Sequence, residues 1–297
     1  MDTIANLRAF IEVAHAGSFS RAARTLGLAT SVLTKRVDQL EWRTRAKLFE
    51  RSTRKLTLTD EGRRLLPAAQ RIVHDVADAL GSLHGQAQQL EGHLRIKVPT
   101  TLSVFHLADV LARFQHAHPS VSLDVVVIDR PVNPLQEGFD IVVGMLPSSF
   151  DGVAEVGLSP LERMAVAAPS YLEQHGTPQH PTDLVRHRLL NFQPTGSSWV
   201  FNGPHGPITV DLAPHLSTND GHALLRGAIA GNGITVLSSY MAGAALESGQ
   251  LQRVLEDFPI PEFWVRALVP NARLHLGRVQ ALLSALQQAF TPEAGWR

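Results

Sequence analysis

The sequence predicts a multidomain chain: a small α-rich head, one long helix, and an α/β body of two lobes. Three observations predict it. Residues up to about 42 carry three short apolar stripes at helical spacing, separated by glycines. Residues 66–90 keep an apolar heptad without a break. Beyond Gly92, apolar runs of strand length alternate with helical segments. With 297 residues, 44% of them hydrophobic, the chain has material for cores in two or three domains.

The head begins with Ile4, Leu7, Phe10, Ile11 and Ala14 on one helical face, ended by Gly17. Ser18 or Ser20 is placed to cap a second helix, about Ser20 to Leu26, which buries Ala22, Ala23 and Leu26. After a turn at Gly27, a third helix from about Thr30 to Trp42 turns Val32 or Leu33, Val37 and Leu40 inward. The small alanines let the third helix cross the second closely. That is the geometry of a helix-turn-helix, whose second member fits a DNA major groove. Thr30, Ser31, Thr34, Lys35 and Asp38 then face outward, and the opposing reading is an ordinary solvated helix face. The segment from Leu48 to Leu58 alternates at Thr57-Leu58 and carries Arg51, Arg54 and Lys55 around its tip, which fits a two-stranded wing. Its cations can reach phosphates or a minor groove. The head spans residues 1–59.

Thr59-Asp60-Glu61 opens a long helix running to about Leu90, a linker over residues 60–91. Leu66, Ala69, Val73, Val76, Leu80, Leu83, Ala87 and Leu90 recur at alternating steps of three and four. A helix of that span is ~46 Å long at ~1.5 Å per residue, and Pro67 should kink it near its start. The stripe fits self-association better than packing on the chain's own core, because it is narrow and long; Leu66, Val73, Val76, Leu80, Leu83 and Leu90 are its dimerisation candidates.

The body, residues 92–297, reads as strand Leu94–Val98, helix Ser103–His116, strand Ser122–Ile128 and strand Phe139–Met145. Then follow strand Met164–Ala168, helix Ser170–His175, strand Leu189–Phe192, helix Gly221–Ala230, strand Ile234–Leu237, helix Ser239–Glu247, strand Trp264–Val269 and helix Leu276–Phe290. Such alternation predicts largely parallel sheets with crossover helices. Lobe I takes about 92–161 and 266–297, lobe II about 162–265, with a ligand cleft between them.

Composition excludes several functions. There is no cysteine, hence no disulfide, no thiolate metal site and no cysteine nucleophile. The 14 histidines are scattered, with only His116 and His118 close together, so no metal or other cofactor is expected. No phosphate-loop, nucleophile-elbow, HExxH or GxGxxG string occurs, and the four lysines leave only Lys97, in an apparent strand, for Schiff-base chemistry; no enzyme is expected. No apolar run reaches the ~18 residues of a membrane span, and the charged, amphipathic first residues do not read as an export signal. A cytoplasmic protein without membrane contact is expected. The net charge of +0 hides an asymmetry: residues 1–64 hold 13 Lys/Arg against 7 Asp/Glu, and residues 93–297 hold 13 against 17. A basic head points to a polyanion.

Several strings in this order, Phe10-Ile11-Glu12-Val13-Ala14, Gly17-Ser18-Phe19-Ser20-Arg21-Ala22-Ala23, Leu40-Glu41, Leu48-Phe49-Glu50-Arg51 and Leu58-Thr59-Asp60-Glu61-Gly62, closely resemble the DNA-binding head of LysR-type transcriptional regulators. Phe139-Asp140-Ile141-Val142-Val143, Ala168-Pro169-Ser170-Tyr171-Leu172 and Gly231-Asn232-Gly233-Ile234 resemble strings of that family's effector domain. The resemblance implies a winged helix-turn-helix, a linker helix and a two-lobed, periplasmic-binding-protein-like effector domain. It also implies a homodimer or tetramer on promoter or operator DNA, with RNA polymerase as a further partner and a small organic effector between the lobes. Base-reading positions fall on Thr30, Ser31, Thr34 and Lys35, and the wing contact on Arg54. Ser20, Arg21, Arg36, Arg51 and Lys55 complete the expected DNA surface. The competing reading is a cytoplasmic small-molecule-binding protein with no role at DNA.

Two departures stand out. Ala29 replaces a commonly capping serine, which leaves Thr30 to take the cap, and Thr44-Arg45 replaces a common Leu-Gly, removing an easy left-handed helix end. For the effector, Thr100, Thr101 and Ser103 lead into a helix whose free N–H groups suit an anion. Ser197, Ser198, Asn219 and Asp220 are the matching polar loops of the second lobe, and ordinary capping is the plainer account of both. The family commonly has an arginine where this chain has Gly144, so one anion partner is missing. A small organic ligand, a carboxylate among the candidates, is expected.

Overall fold

The computed structural model describes residues 2–51, 56–81 and 90–291, and the chain divides into two compact units, Met1–Gln89 and Leu90–Arg297.

In the first unit, α1 (Thr3–Ala16) is capped by the Asp2 carboxylate, which accepts from the Ala5 amide at 3.0 Å, and it ends at Gly17 in the left-handed region. Ser18, rather than Ser20, caps α2 (Phe19–Thr25) by accepting from the Arg21 amide. Ala29 occupies the N-cap of α3 (Thr30–Thr44) with no side-chain bond, so Thr30 is the first helical residue and does not take the cap. Leu33, Val37 and Leu40 are buried while Val32 is exposed, which resolves the inward face. They meet Leu7, Phe10, Val13, Ala22 and Ala23 in one core. Antiparallel β1 (Phe49–Arg51) and β2 (Leu56–Leu58) form the wing, and the tip with Arg54 and Lys55 lies outside the described residues.

The helix α4 (Asp60–Gly81) passes through Pro67. Its start is fixed by Thr59, whose hydroxyl accepts from the Gly62 amide at 3.0 Å and donates to the Lys47 carbonyl at 2.6 Å. The heptad divides. Ala69 is fully buried in the head's own core, and Leu66 and Val73 pack against it. The early stripe therefore covers α1 of the same chain, and Val76 is the first member outside that core cluster. Leu83 and Ala87 fall among residues 82–89, outside the described set, as does the side chain of Leu80. Leu90 corrects the expected helix end: it is not helical, and it packs on the core of the second unit, close to Gly277.

The second unit runs β3 (Gly92–Val98), α5 (Thr100–Leu102), a π turn (Ser103–Leu107), α6 (Ala108–Ala117), β4 (Val121–Val127), α7 (Pro134–Glu137), β5 (Ile141–Gly144) and β6 (Val153–Leu161). The second lobe holds β7 (Arg163–Ala167), α8 (Pro169–His175), β8 (Leu189–Phe192), β9 (Ser198–Gly203), β10 (Gly206–Asp211), β11 (Leu216–Thr218), α9 (Gly221–Ile229), β12 (Ile234–Ser238), α10 (Ser239–Glu247) and β13 (Gln252–Val254). The chain then returns through β14 (Phe263–Pro270) and closes with α11 (Gly277–Ala289). Two five-stranded sheets result, ordered β4-β3-β5-β14-β6 and β11-β8-β12-β7-β13.

Neither sheet is largely parallel, against expectation. β14 runs antiparallel to β5 and β6, and β7 antiparallel to β12 and β13. The physical reason lies in the crossings between lobes. β7 follows directly on β6, and β14 follows β13; a strand delivered from the other lobe needs no helical crossover to enter its sheet, so it is free to run antiparallel.

Two of the singled-out strings prove structural. Asp140 is buried and accepts from the Arg95 amide at 2.7 Å and from the Arg273 guanidinium, tying β3 to the turn after β14. Gly233 has φ 155°, and a Cβ there would stand 2.3 Å from the Arg188 carbonyl, so only glycine lets β12 start beside that loop.

Candidate nucleic-acid interface and ligand cavity

On the head, α3 presents Thr30, Ser31, Thr34, Lys35, Asp38, Gln39 and Trp42 around a shallow concavity. Among the described residues, no hydrogen bond within the protein engages the side chains of Thr30, Ser31, Thr34 or Lys35. Ser20 and Arg21 are exposed at the start of α2, and Arg36 is half-buried beside this face. Arg51 ends β1, with its side chain outside the described set. Gln39 and Trp42, the latter at 80% exposure, are the members of this face that sequence reasoning left out.

A buried carboxylate holds α3 to the wing. Glu41 is 4% exposed and accepts from Lys47 Nζ at 2.7 Å and from the Leu48 and Phe49 amides at 2.9 and 3.3 Å. Burial alone raises its pKa, but the Lys47 bond and the two amides outweigh that and hold it below the ordinary carboxylate value. The αL residue after α3 is Arg45, φ 51°. Its amide donates to the Trp42 carbonyl and the Ala46 amide to that of Glu41, a Schellman closure made without glycine.

In the second unit a cavity of about 350 Å³ opens between the two sheets, at the carboxyl ends of β3, β5, β8 and β12. Of the predicted effector residues, Thr101 and Ser198 line it. The other five are engaged elsewhere or stand away from it. Thr100 gives its amide to Asp129 Oδ1 at 2.9 Å and its hydroxyl to Oδ2. Ser103 belongs to the π turn, and the carbonyl of Ser197 receives the Leu212 amide. Asp220 caps α9 by accepting from the His222 amide at 2.9 Å, and Asn219 precedes it outside the lining. Of these five, Asp220 fits the capping account, whereas Thr100 is held by the Asp129 carboxylate.

Residues that sequence reasoning passed over supply the charge. Lys97 on β3 is 3% exposed, with Nζ 3.3 Å from the Val143 carbonyl, and Arg163 opens β7; both line the cavity, as do Asp129 and Arg130. Burial pushes Lys97 down to about 8, countered by Asp129, and burial lowers Arg163 to about 10. Lys97 was legible in principle, because a charged residue inside an apolar strand next to parallel neighbours is an anomaly. Tyr240 joins the lobes: its hydroxyl is 2.7 Å from that of Thr101, and Phe105 meets its ring edge-on. Among the described residues no three His, Asp or Glu side chains stand together as a metal site, and no helix is long and apolar enough to cross a membrane.

A winged helix-turn-helix with an open polar recognition face, followed in the chain by a two-lobed ligand-binding domain, defines a ligand-responsive DNA-binding protein. Residues 4–63 match the bacterial regulatory helix-turn-helix protein model of the lysR family, and residues 87–291 match the LysR substrate binding domain. The chain is 30% identical to the HTH-type transcriptional regulator PtxR of Pseudomonas aeruginosa, over 95% of this chain and 91% of that one. It is also 30% identical to YhjC of Escherichia coli, covering 96% and 97%. Among solved structures, CrgA of Neisseria meningitidis, a LysR-type transcriptional regulator, aligns with a TM-score of 0.61 at 27% identity over 96% of this chain and 98% of that one. The Vibrio cholerae virulence activator AphB shares the fold, with a TM-score of 0.63 at 20% identity, covering 96% and 99%. The chain belongs to the LysR family: it is a DNA-binding transcriptional regulator with an effector-binding domain, and not an enzyme.

Proposed function

We propose that this regulator reads operator DNA through Thr30, Ser31, Thr34 and Lys35 on α3, with Arg54 and Lys55 of the wing and Ser20, Arg21, Arg36 and Arg51 on the backbone, and that an effector in the cavity between the lobes controls it. The observation that carries the reading is the α3 face: four donor-bearing side chains in a row, exposed or half-buried and unclaimed by the protein. A lysine bonds guanine acceptors, and threonine combines a hydroxyl with a methyl that packs on thymine. The protein acts in the cytoplasm as a dimer or tetramer. Its self-association uses the far part of the linker helix, from Val76 through Leu80 and Leu83, since the earlier stripe is spent on the head's own core. RNA polymerase is the partner through which a promoter-bound regulator acts.

A fluorescence-anisotropy titration on a selected operator tests the reading. Lys35→Ala should weaken specific binding by roughly tenfold or more while the fold survives, one good base contact being worth ~1–3 kcal/mol. Arg54→Ala should weaken specific and non-specific DNA alike and flatten the salt dependence by about one phosphate contact. Affinities equal to the parent for both variants would defeat the assignment.

A further inference from the structure

The wall of the cavity is electrostatically unfinished. Arg130 lines it but is already spent on Glu137, with Nη1 and Nη2 at 2.7 and 2.8 Å from its two oxygens. Asp129 is the one carboxylate among the described lining residues, and Thr100 takes both its oxygens. Two cations are left against that single carboxylate. Lys97 bonds only the Val143 carbonyl, and no carboxylate lies within ion-pair distance of it among the described residues. Arg163 gives Nη2 to the Pro261 carbonyl at 2.8 Å and lies over the Phe263 ring at 3.4 Å, but its buried Nε has no acceptor. A buried donor without a partner costs free energy, and the protein offers nothing to relieve it. Lys97 and Arg163 against Asp129 leave an excess of one positive charge.

Apart from a few hydroxyls such as those of Thr101, Ser198 and Tyr240, the rest of the lining is apolar, with Phe192, Trp199 and Phe263 around the space. Gly144 adds room: nothing lies within 4 Å of where its Cβ would stand. Lys97 belongs to the first sheet and Arg163 to the second. We propose that the effector is an organic monocarboxylate with an apolar body, its charge held by Lys97 of one lobe and Arg163 of the other. Resting on the cavity reading above, this names its ligand class and gives the ligand a grip on both lobes at once.

The test uses the full chain, titrated calorimetrically with matched sets of probes: benzoate, benzamide and benzylamine, then octanoate, octanamide and octylamine. At least one acid should bind, with its amide at least ~10-fold weaker, the size of effect of a charge-assisted bond. Lys97→Met and Arg163→Gln should each cost the acid ~10-fold or more and leave the amide unmoved. Gly144→Phe, which fills the space, should abolish binding of every probe. Amides or amines binding as well as the acids, or no acid binding at all, overturns the ligand class. If binding instead survives Gly144→Phe, the cavity itself is not the site, which is a separate failure.

Discussion

At the scale of single residues, two buried charges do opposite work. Glu41 is a finished site: its carboxylate is bonded on all sides, and it fastens the recognition helix to the wing. Its pKa is depressed in the fold, so its contribution is present above the ordinary 4.5 and lost as pH falls through the folded value. Glu41→Gln should therefore destabilise the head near neutrality and reduce the acid sensitivity of unfolding, both measurable by urea melts of the full chain at several pH values. Lys97 is an unfinished site. Its pKa falls from 10.5 to about 8, so from this group stability rises with pH between those values, where the unfolded chain binds more protons. Lys97→Met should stabilise the protein at neutral pH by about 2–3 kcal/mol, since a shift of ~2.5 units is worth roughly 3 kcal/mol. Calorimetric melting of the variant checks this. A lower melting temperature would mean that Lys97 is a structural residue. In the parent protein an anion should be bound more weakly as pH rises from about 7 to about 9, as Lys97 loses its proton among Asp129, Arg130 and Glu137.

At the scale of elements, the helices of the head were legible because caps and apolar spacing agree. Asp2, Ser18 and Thr59 each take the cap at a helix start. Two local strains were less visible. Gly62 reads as an unremarkable early position in a helix, yet its backbone lies against the wing: an added Cβ would stand 2.2 Å from the Leu48 carbonyl. Gly62→Ala should cost about 1–3 kcal/mol, as overpacking does, and loosen the wing that α4 supports. Arg45 holds a left-handed backbone that glycine adopts freely, so Arg45→Gly should stabilise the head by about 0.5–1 kcal/mol in the same melts. The β9–β10 hairpin was missed although its signal was present. Trp199 and Phe201 are buried while Val200 and Asn202 point outward, a period of two cut short by the glycines at its turn. The heptad misled at both ends for one reason: periodicity says that a stripe is buried, not on what. Leu66, Ala69 and Val73 found the head's own core, and Leu90 found the body's.

At the scale of the whole molecule, the two units carry the two halves of the function, and their legibility differs. The recognition face is contiguous in sequence, so Thr30 to Lys35 could be read from one helical turn after another. The cavity is assembled from β3, β5, β7, β8 and β12, and no local pattern brings Lys97 and Arg163, 66 positions apart in the numbering, to one wall. Helix-start hydroxyls were the visible candidates; Thr101 reaches the cavity, while Thr100 is held by Asp129. The charge asymmetry survives as a functional division: a basic head for a polyanion, and a mildly acidic body whose cavity nonetheless keeps uncompensated cations.

The most direct test is selection of bound duplexes from a random pool by the full chain at low salt, repeated with Lys35→Ala. The parent should enrich one motif with two related half-sites, and the variant should lose preference at a single position in each half while the flanking positions hold. Recovery of the pool without any enriched motif, or an unchanged motif from the variant, would contradict base reading by α3.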